Sequence, residues 1–339
     1  VAGTGMWVVT GGAGYVGGHV VAALHAAGVE LVVLDDLSTG RADRLPPEVR
    51  LVRGRVGNRA VLDGVLDGAA GVVHLAALTS APESVDSPLA YYRANVTDVA
   101  TLLGAMTDHR VPNLVASSSA AVYGGRPRDP APAAFPENHR PRPQNPYGTT
   151  KLVGEHLMSE AGGAAGIATV ALRYFNVVGA GARELADSRP GGLLPRVLAA
   201  RRDGVHLVVN GRTHPTPDGS AVRDFVHAAD VASAHVAAVS RLSSGGRGAA
   251  VYNVGTGRGA SVLDVLARTE AVTGGPVPWV DGPPRVGDAS CAVADTSLIA
   301  RELGWHAERD LDESIASAWA AMTSSAPVTT PRRRLARAG

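Results

Sequence analysis

The chain is nearly empty of two residue types that often direct a protein's chemistry. Among 339 residues there is one cysteine, Cys291, and one lysine, Lys151, set beside 31 arginines. A single thiol excludes an intramolecular disulfide and a cysteine-built zinc site. The eleven histidines show no ligand-like pairing such as H-x-H or H-x-x-x-H, so no metal centre is expected. Charge of one sign is lacking too: a formal net charge of +1 creates no long-range field toward nucleic acid or an anionic membrane. No apolar run approaches the roughly 20 residues of a transmembrane span. Residues 1–6 lead into a strand-like run without a signal-peptide layout. The expectation is a soluble cytoplasmic protein that binds neither nucleic acid nor membrane.

The scarcity of lysine is informative in its own right. Arginine carries positive charge almost everywhere in this chain, so the retained ammonium marks a position where guanidinium would not serve. Guanidinium stays protonated, whereas a compact ammonium can be tuned by its neighbours.

Hydrophobic residues make up 45% of the chain, enough to bury a substantial core. Continuously apolar, β-branched runs at 6–10, 30–34, 49–53, 71–76, 113–117 and 168–175 alternate with helical patterns at 15–27, 89–109 and 146–161. Strands alternating with helices imply right-handed crossovers and a doubly wound parallel sheet covered on both faces. We therefore expect an α/β fold with a Rossmann-type domain over 1–179. A smaller C-terminal substrate lobe is expected over 180–322, with strands near 207–209 and 250–254 and a helix near 262–272, followed by a flexible tail at 323–339.

The glycines at 11, 14 and 17 follow the first strand and open the first helix, with Tyr15 and Val16 between them. This G-x-x-G-x-x-G turn lets the backbone approach a pyrophosphate, whose charge the helix N-terminus stabilises. Asp35 ends the second strand about 20 residues further on, the place of a ribose-binding acid, and a carboxylate there favours NAD over NADP. His74-Leu75-Ala76-Ala77 closes another strand in small residues suited to a close-lying ring system, and Asn95 is positioned to anchor polar cofactor groups.

Tyr147 and Lys151 stand at i and i+4, on one helical face. A free tyrosine has a pKa near 10, but a nearby ammonium favours the phenolate. Tyr147 can then act as a base, with a hydroxyl of Ser117-Ser118-Ser119, best Ser119, orienting the substrate.

With these residues in place the chain resembles the UDP-glucose 4-epimerase family of extended short-chain dehydrogenases over residues 6–322. The likeness rests on the glycine loop, on Ser117 to Ser119 with Ala120-Ala121-Val122-Tyr123-Gly124, and on Asn145-Pro146-Tyr147-Gly148-Thr149-Thr150-Lys151. It continues through Leu172-Arg173-Tyr174-Phe175-Asn176, Pro215-Thr216-Pro217-Asp218-Gly219, Val222-Arg223-Asp224-Phe225-Val226-His227, Tyr252-Asn253-Val254-Gly255 and Arg285-Val286-Gly287-Asp288. The resemblance implies catalysis by Ser119, Tyr147 and Lys151, and cofactor contact by Tyr174. A nucleotide-sugar would be held by Asn176, Leu193, Asn210, Arg223, Arg285 and Asp288. It further implies NAD-dependent C4 epimerisation through a 4-keto sugar, and a homodimer packed through the helices near 89–106 and 146–161.

The chain departs from the family's pattern at five places. Arg55 stands where an aspartate usually grips the adenine, and Thr79 replaces a common lysine. Gly192 replaces an asparagine, and Asn210 an aromatic residue that usually lies against uracil. Ala292 fills a position often held by tyrosine, which leaves room for an N-acetyl group. UDP-glucose and UDP-galactose or their N-acetyl forms are the expected substrates, with a purine-nucleotide sugar or a UDP-uronic acid as alternatives. Ala120-Ala121 offers no carboxylate for dehydration chemistry. A non-catalytic NAD sensor would have no use for Tyr147 and Lys151.

Overall fold

The computed structural model describes residues 5–124, 134–187, 191–284 and 289–324. Six strands alternate with helices in the first half: β1 (Trp7–Thr10), β2 (Leu31–Asp35), β3 (Arg50–Arg53), β4 (Gly71–His74), β5 (Asn113–Ser119) and β6 (Ala168–Tyr174). The helices between them are α1 (Tyr15–Ala26), α2 (Arg59–Leu66), α3 (Ala81–Asp86), α4 (Pro88–Tyr92), α5 (Asp98–Asp108) and α6 (Pro146–Leu157). The strands pair in parallel, and side chains of successive residues enter opposite layers. Val9, Val33 and Val73 join one core while Val8, Val32 and Val72 join the other. Two buried faces explain the apolar runs of β1, β2 and β4, whereas the edge strand β3 carries exposed arginines at both ends.

The second half contains β7 (Asn176–Val178), α7 (Leu193–Asp203), β8 (Leu207–Asn210), β9 (Val222–His227), α8 (Ala228–Ser243) and β10 (Ala249–Val254). It continues with β11 (Gly259–Ser261), α9 (Val262–Thr273), β12 (Trp279–Gly282), β13 (Cys291–Ala292), α10 (Ser297–Leu303) and α11 (Leu311–Thr323). A smaller core forms here from Leu198 of α7, Val209 of β8, Phe225 of β9, Leu266 of α9 and Ile315 of α11.

The chain does not divide linearly at residue 179. The main sheet has seven strands in the order β10-β6-β5-β4-β1-β2-β3, so β10 belongs to it although it falls within the expected substrate lobe. Helix α8 likewise packs on α1, and its Val231, Ala234 and Ala238 enter the first core. Local periodicity marks an element but not the sheet it joins, and this is why the linear boundary placed β10 wrongly. Of the expected tail at 323–339, Thr323 ends α11 and residues 325–339 lie outside the described residues.

The helical pattern at 89–109 is also not one helix. A π-helical segment, Arg93–Thr97, separates α4 from α5, and a second one, Met158–Gly162, follows α6. Such segments re-aim side chains within an otherwise continuous helix and are frequent at functional sites. Among the described residues no helix is long and apolar enough to cross a membrane.

Candidate active site

The carboxyl ends of the main-sheet strands open into a cleft of about 970 Å³, where ligands of open α/β sheets bind. One wall is the glycine loop. Gly11 has φ +72°, and a Cβ there would lie 2.4 Å from the Ala76 nitrogen; a Cβ at Gly17 would lie 2.1 Å from the Gly11 oxygen. Only glycine permits this closeness. Helix α1 begins after Gly14 with no side-chain cap, and Gly14, Val16 and Gly17 set its start at the cleft. Gly11, Gly14, Val16, Gly17, Leu75, Ala76 and Ala77 all line the cleft, as does Asp35.

The Asp35 carboxylate is aimed by two main-chain donors. Its Oδ2 accepts from Ala13 N at 3.0 Å and its Oδ1 from Leu37 N at 2.8 Å. A carboxylate has about four acceptor sites, so capacity is left for a ribose hydroxyl. The cradle, the open helix terminus and the oriented acid fit a dinucleotide.

The side chains of Tyr15 and Asn95 also make bonds within the protein. The Tyr15 hydroxyl donates to the Gly179 carbonyl at 2.6 Å, which ties α1 to the chain beyond β7. Asn95 sits within the first π-helical segment, and its amide bridges three places. Its Oδ1 accepts from Leu78 N at 2.9 Å, and its Nδ2 donates to the Leu78 carbonyl at 2.9 Å and to Thr150 Oγ1 at 3.1 Å. Asn95 thereby holds the loop after β4 against α6, as a wall beside the cleft.

Helix α6 is placed by its own N-terminal sequence. The Asn145 side chain accepts from Gly148 N at 2.9 Å and Pro146 occupies the first turn, both strong start signals. A Cβ at Gly148 would lie 2.5 Å from the Ala121 oxygen, so glycine allows the helix to start directly against the end of β5. Tyr147 and Ser119 consequently line the same cleft.

Lys151 is buried one turn further on, and its Nζ donates to the Ser117 carbonyl at 2.9 Å. Burial pushes its pKa down to about 8, against the opposing charge of Glu155. His74, also buried, bonds Thr10 Oγ1 through Nδ1 at 2.7 Å; burial first, and then the Lys151 charge, push it down to about 3. The ammonium therefore has a neutral ring beside it.

The three serines separate in space. Ser118 donates to Glu155 inside the core. Ser119 accepts from Ala121 N at 3.1 Å and is half-buried at the cleft. Ser119 lines the cleft together with Tyr147.

Across the cleft, the chain passes from β6 to β7 through Tyr174, Phe175 and Asn176, and thus from one sheet to the other. Tyr174 bonds His235 Nε2 at 2.6 Å, and burial pushes its phenol up. Asn176, Leu193, Arg223, Gly192 and Ala292 line this side. Ala292 is the register partner of Arg223. Gly192 precedes α7 without a side-chain cap. Asn210 is not among the lining residues; it ends β8 beside Gly282. Arg285 and Asp288 lie outside the described residues.

A polar network behind the site has no counterpart in the sequence reading. Arg173 grips Glu155 through two bonds and donates to the Tyr123 hydroxyl at 2.9 Å, which in turn donates to Asn253 Oδ1 at 2.7 Å. Arg44, buried, donates to the carbonyls of Ala13, Glu184 and Ala186. The available signal was charge at positions inside apolar strand runs, as at Arg173.

The fold and this site define a class: a dinucleotide-binding enzyme with a tyrosine in its cleft and a buried lysine one helical turn behind it. The chain belongs to the NAD dependent epimerase/dehydratase family, whose pattern matches residues 7–255. It is similar to the UDP-glucose 4-epimerase of Azospirillum brasilense, at 41% identity over 92% of this chain and 90% of that protein. Among solved structures it is similar to the UDP-glucose 4-epimerase of Stenotrophomonas maltophila with bound NAD and formylated UDP-arabinopyranose. The TM-score is 0.88 at 36% identity, covering 94% of this chain and 98% of that one. The Brucella ovis UDP-glucose 4-epimerase in complex with NAD superposes with a TM-score of 0.88 at 36% identity, covering 93% and 98%.

Proposed function

We propose that this chain is an NAD-dependent nucleotide-sugar C4 epimerase acting on UDP-glucose and UDP-galactose or their N-acetyl forms. The observation that carries the reading is Tyr147 and Ser119 in the cleft that the glycine loop opens, with the buried Lys151 one helical turn away. The chemistry supplied by bound NAD is reversible acceptance of hydride from C4 of the sugar. Tyr147 removes the proton of the 4-hydroxyl and returns it. Lys151 favours the phenolate by its charge, and its bond to the Ser117 carbonyl keeps the ammonium in place. Ser119 orients the 4-oxygen. Arg223 and the uncapped start of α7 suit the diphosphate, since guanidinium and helix N–H groups both favour phosphate.

The homodimer belongs to the same proposal. Val85 on α3 and Leu89 on α4 are 62% and 71% exposed, and large exposed apolar side chains on successive helices support a subunit contact. The proposed compartment is the cytoplasm, where the lone Cys291 thiol would stay reduced.

The test follows the anomeric protons of UDP-galactose and UDP-N-acetylgalactosamine by NMR, with purified protein and no added cofactor. Interconversion at C4 is expected. Tyr147→Phe should lower the rate by about 10³, within the usual range for a general acid–base group, while the protein keeps its dinucleotide. Turnover confined to purine-linked or uronic-acid substrates would overturn the substrate assignment. Full activity in the Tyr147→Phe variant would remove Tyr147 from the mechanism.

A further inference from the structure

Beyond Asp35 the cleft runs over the ends of β2 and β3 to Gly54, Arg55 and Val56, with Asp98 beside them. A dinucleotide whose ribose meets Asp35 must place its adenine here. Position 55 is where the family's pattern puts an acid, and arginine cannot replace that acid chemically. Guanidinium only donates, and so does the 6-amino group of adenine. The Arg55 side chain is 68% exposed and leans toward Asp36, 4.0 Å away. An acceptor must come from elsewhere.

Asp98, the first residue of α5, lines the same end of the cleft. It is pressed against the chain that follows β3: a Cβ at Gly57 would lie 2.3 Å from Asp98 Oδ1. The other carboxylates at this end are already aimed at the protein. Asp35 accepts from Ala13 and Leu37, and Asp36 Oδ1 accepts from Ser38 N at 2.8 Å. The half-buried Asp98 carboxylate accepts no hydrogen bond from any described residue. Its acceptor capacity therefore stays available to a group that enters the cleft. Burial pushes its carboxyl upward, Arg55 draws it down, and Asp36 adds to the rise. An adenine amino group entering the cleft would meet this carboxylate as a donor.

We infer that Asp98 supplies the carboxylate that receives the 6-amino group of the dinucleotide's adenine, in place of an acid at position 55. This rests on the NAD reading above. The acceptor has moved from the loop after β3 to the start of α5, which packs against that loop at the base-binding end. Arg55 then balances Asp98 and Asp36 at the rim instead of contacting the base edge.

The test uses the purified protein with its co-purified dinucleotide. It is incubated with an equimolar mixture of NAD and nicotinamide hypoxanthine dinucleotide, which carries an oxygen in place of the 6-amino group. After gel filtration the retained dinucleotides are released and counted by mass spectrometry. The unaltered protein should retain NAD over the hypoxanthine analogue by about tenfold or more, the size of one charge-assisted hydrogen bond. Asp98→Asn keeps the shape and offers an amide N–H to the oxygen, so the ratio should approach one or invert. Arg55→Ala, an exposed change, should leave the preference in place. An unchanged preference in Asp98→Asn, or its loss in Arg55→Ala, would overturn the assignment. If the unaltered protein retains neither dinucleotide, the cofactor reading falls and this inference with it.

Discussion

Arg173 Nε and Nη2 meet the two carboxylate oxygens of Glu155 at 2.9 and 2.6 Å, inside the core and one helical turn beyond Lys151. Both side chains are almost fully buried, at 5% and 7% exposure. The pair joins β6 to α6, so it sets the height at which α6 presents Tyr147 and Lys151 over the end of β5. Breaking one partner of such a pair leaves an uncompensated charge in the core, which costs about 3–5 kcal/mol. Arg173→Met and Glu155→Leu should each lower the unfolding free energy by an amount of that order, read as a fall in the urea midpoint. The double variant should be more stable than either single one, because no lone charge is left. Simple addition of the two losses would show that the pair does not act as a unit.

The pH dependence of turnover should follow Lys151. Its pKa falls from 10.5 to about 8 because burial disfavours the ammonium. The rate is therefore expected to decline as pH rises through about 8, when the charge that favours the Tyr147 phenolate is lost. Stability moves the other way. Between about 8 and 10.5 the unfolded chain holds a proton that the folded chain has released, so folding becomes more favourable as pH rises across that window. Lys151→Arg should remove the decline near pH 8, since guanidinium stays charged, at a reduced rate throughout. A pH–rate profile with the same decline in both proteins would exclude Lys151 as its source.

Acid should destabilise the fold through buried neutral histidines. Burial is the first cause that pushes His74 down to about 3 and His227 and His235 down to about 4. In the unfolded chain these rings protonate near 6.5. Their contribution is intact above that value and is lost as pH falls from about 6.5 through 4. Thermal midpoints recorded between pH 7.5 and 4.5 should fall steadily over the lower half of the range. His235→Gln should flatten part of that slope, and a Tm that does not change between pH 7 and 5 would contradict the assignment.

Arg44 links the glycine loop to a second loop at the cleft. Its guanidinium reaches the Ala13 carbonyl in the glycine loop and the Glu184 and Ala186 carbonyls, just before the cleft residue Asp187. Arg44→Ala should weaken dinucleotide retention and raise KM for the nucleotide-sugar together, with kcat affected least. Arg44→Lys should restore little, because a point charge cannot span three carbonyls. A change confined to one ligand would show that the two loops are not coupled through this residue.

Much of the fold was legible in the sequence because parallel strands buried on both faces leave apolar runs that no local feature disguises. The glycine loop and the Tyr147–Lys151 spacing were legible for a similar reason: each is a short-range pattern whose geometry follows from one turn or one helix. The interrupted helix at 89–109 was not legible. Its π-helical segment is stabilised by what Asn95 touches, namely Leu78 and Thr150, and neither lies on its own helix.

By itself, then, the sequence determined the order of strands and helices, the phosphate-binding turn, and the placing of Tyr147 and Lys151 on one face. All of these depend on backbone period and near-neighbour spacing. Only the tertiary structure decided that Ser118 turns into the core while Ser119 faces the cleft, and that β10 completes the first sheet. It alone brought Asp98 to the end of the cleft where Arg55 stands. Those outcomes depend on which distant backbones share a sheet and which buried polar groups find partners, and residue order along the chain does not specify either one locally.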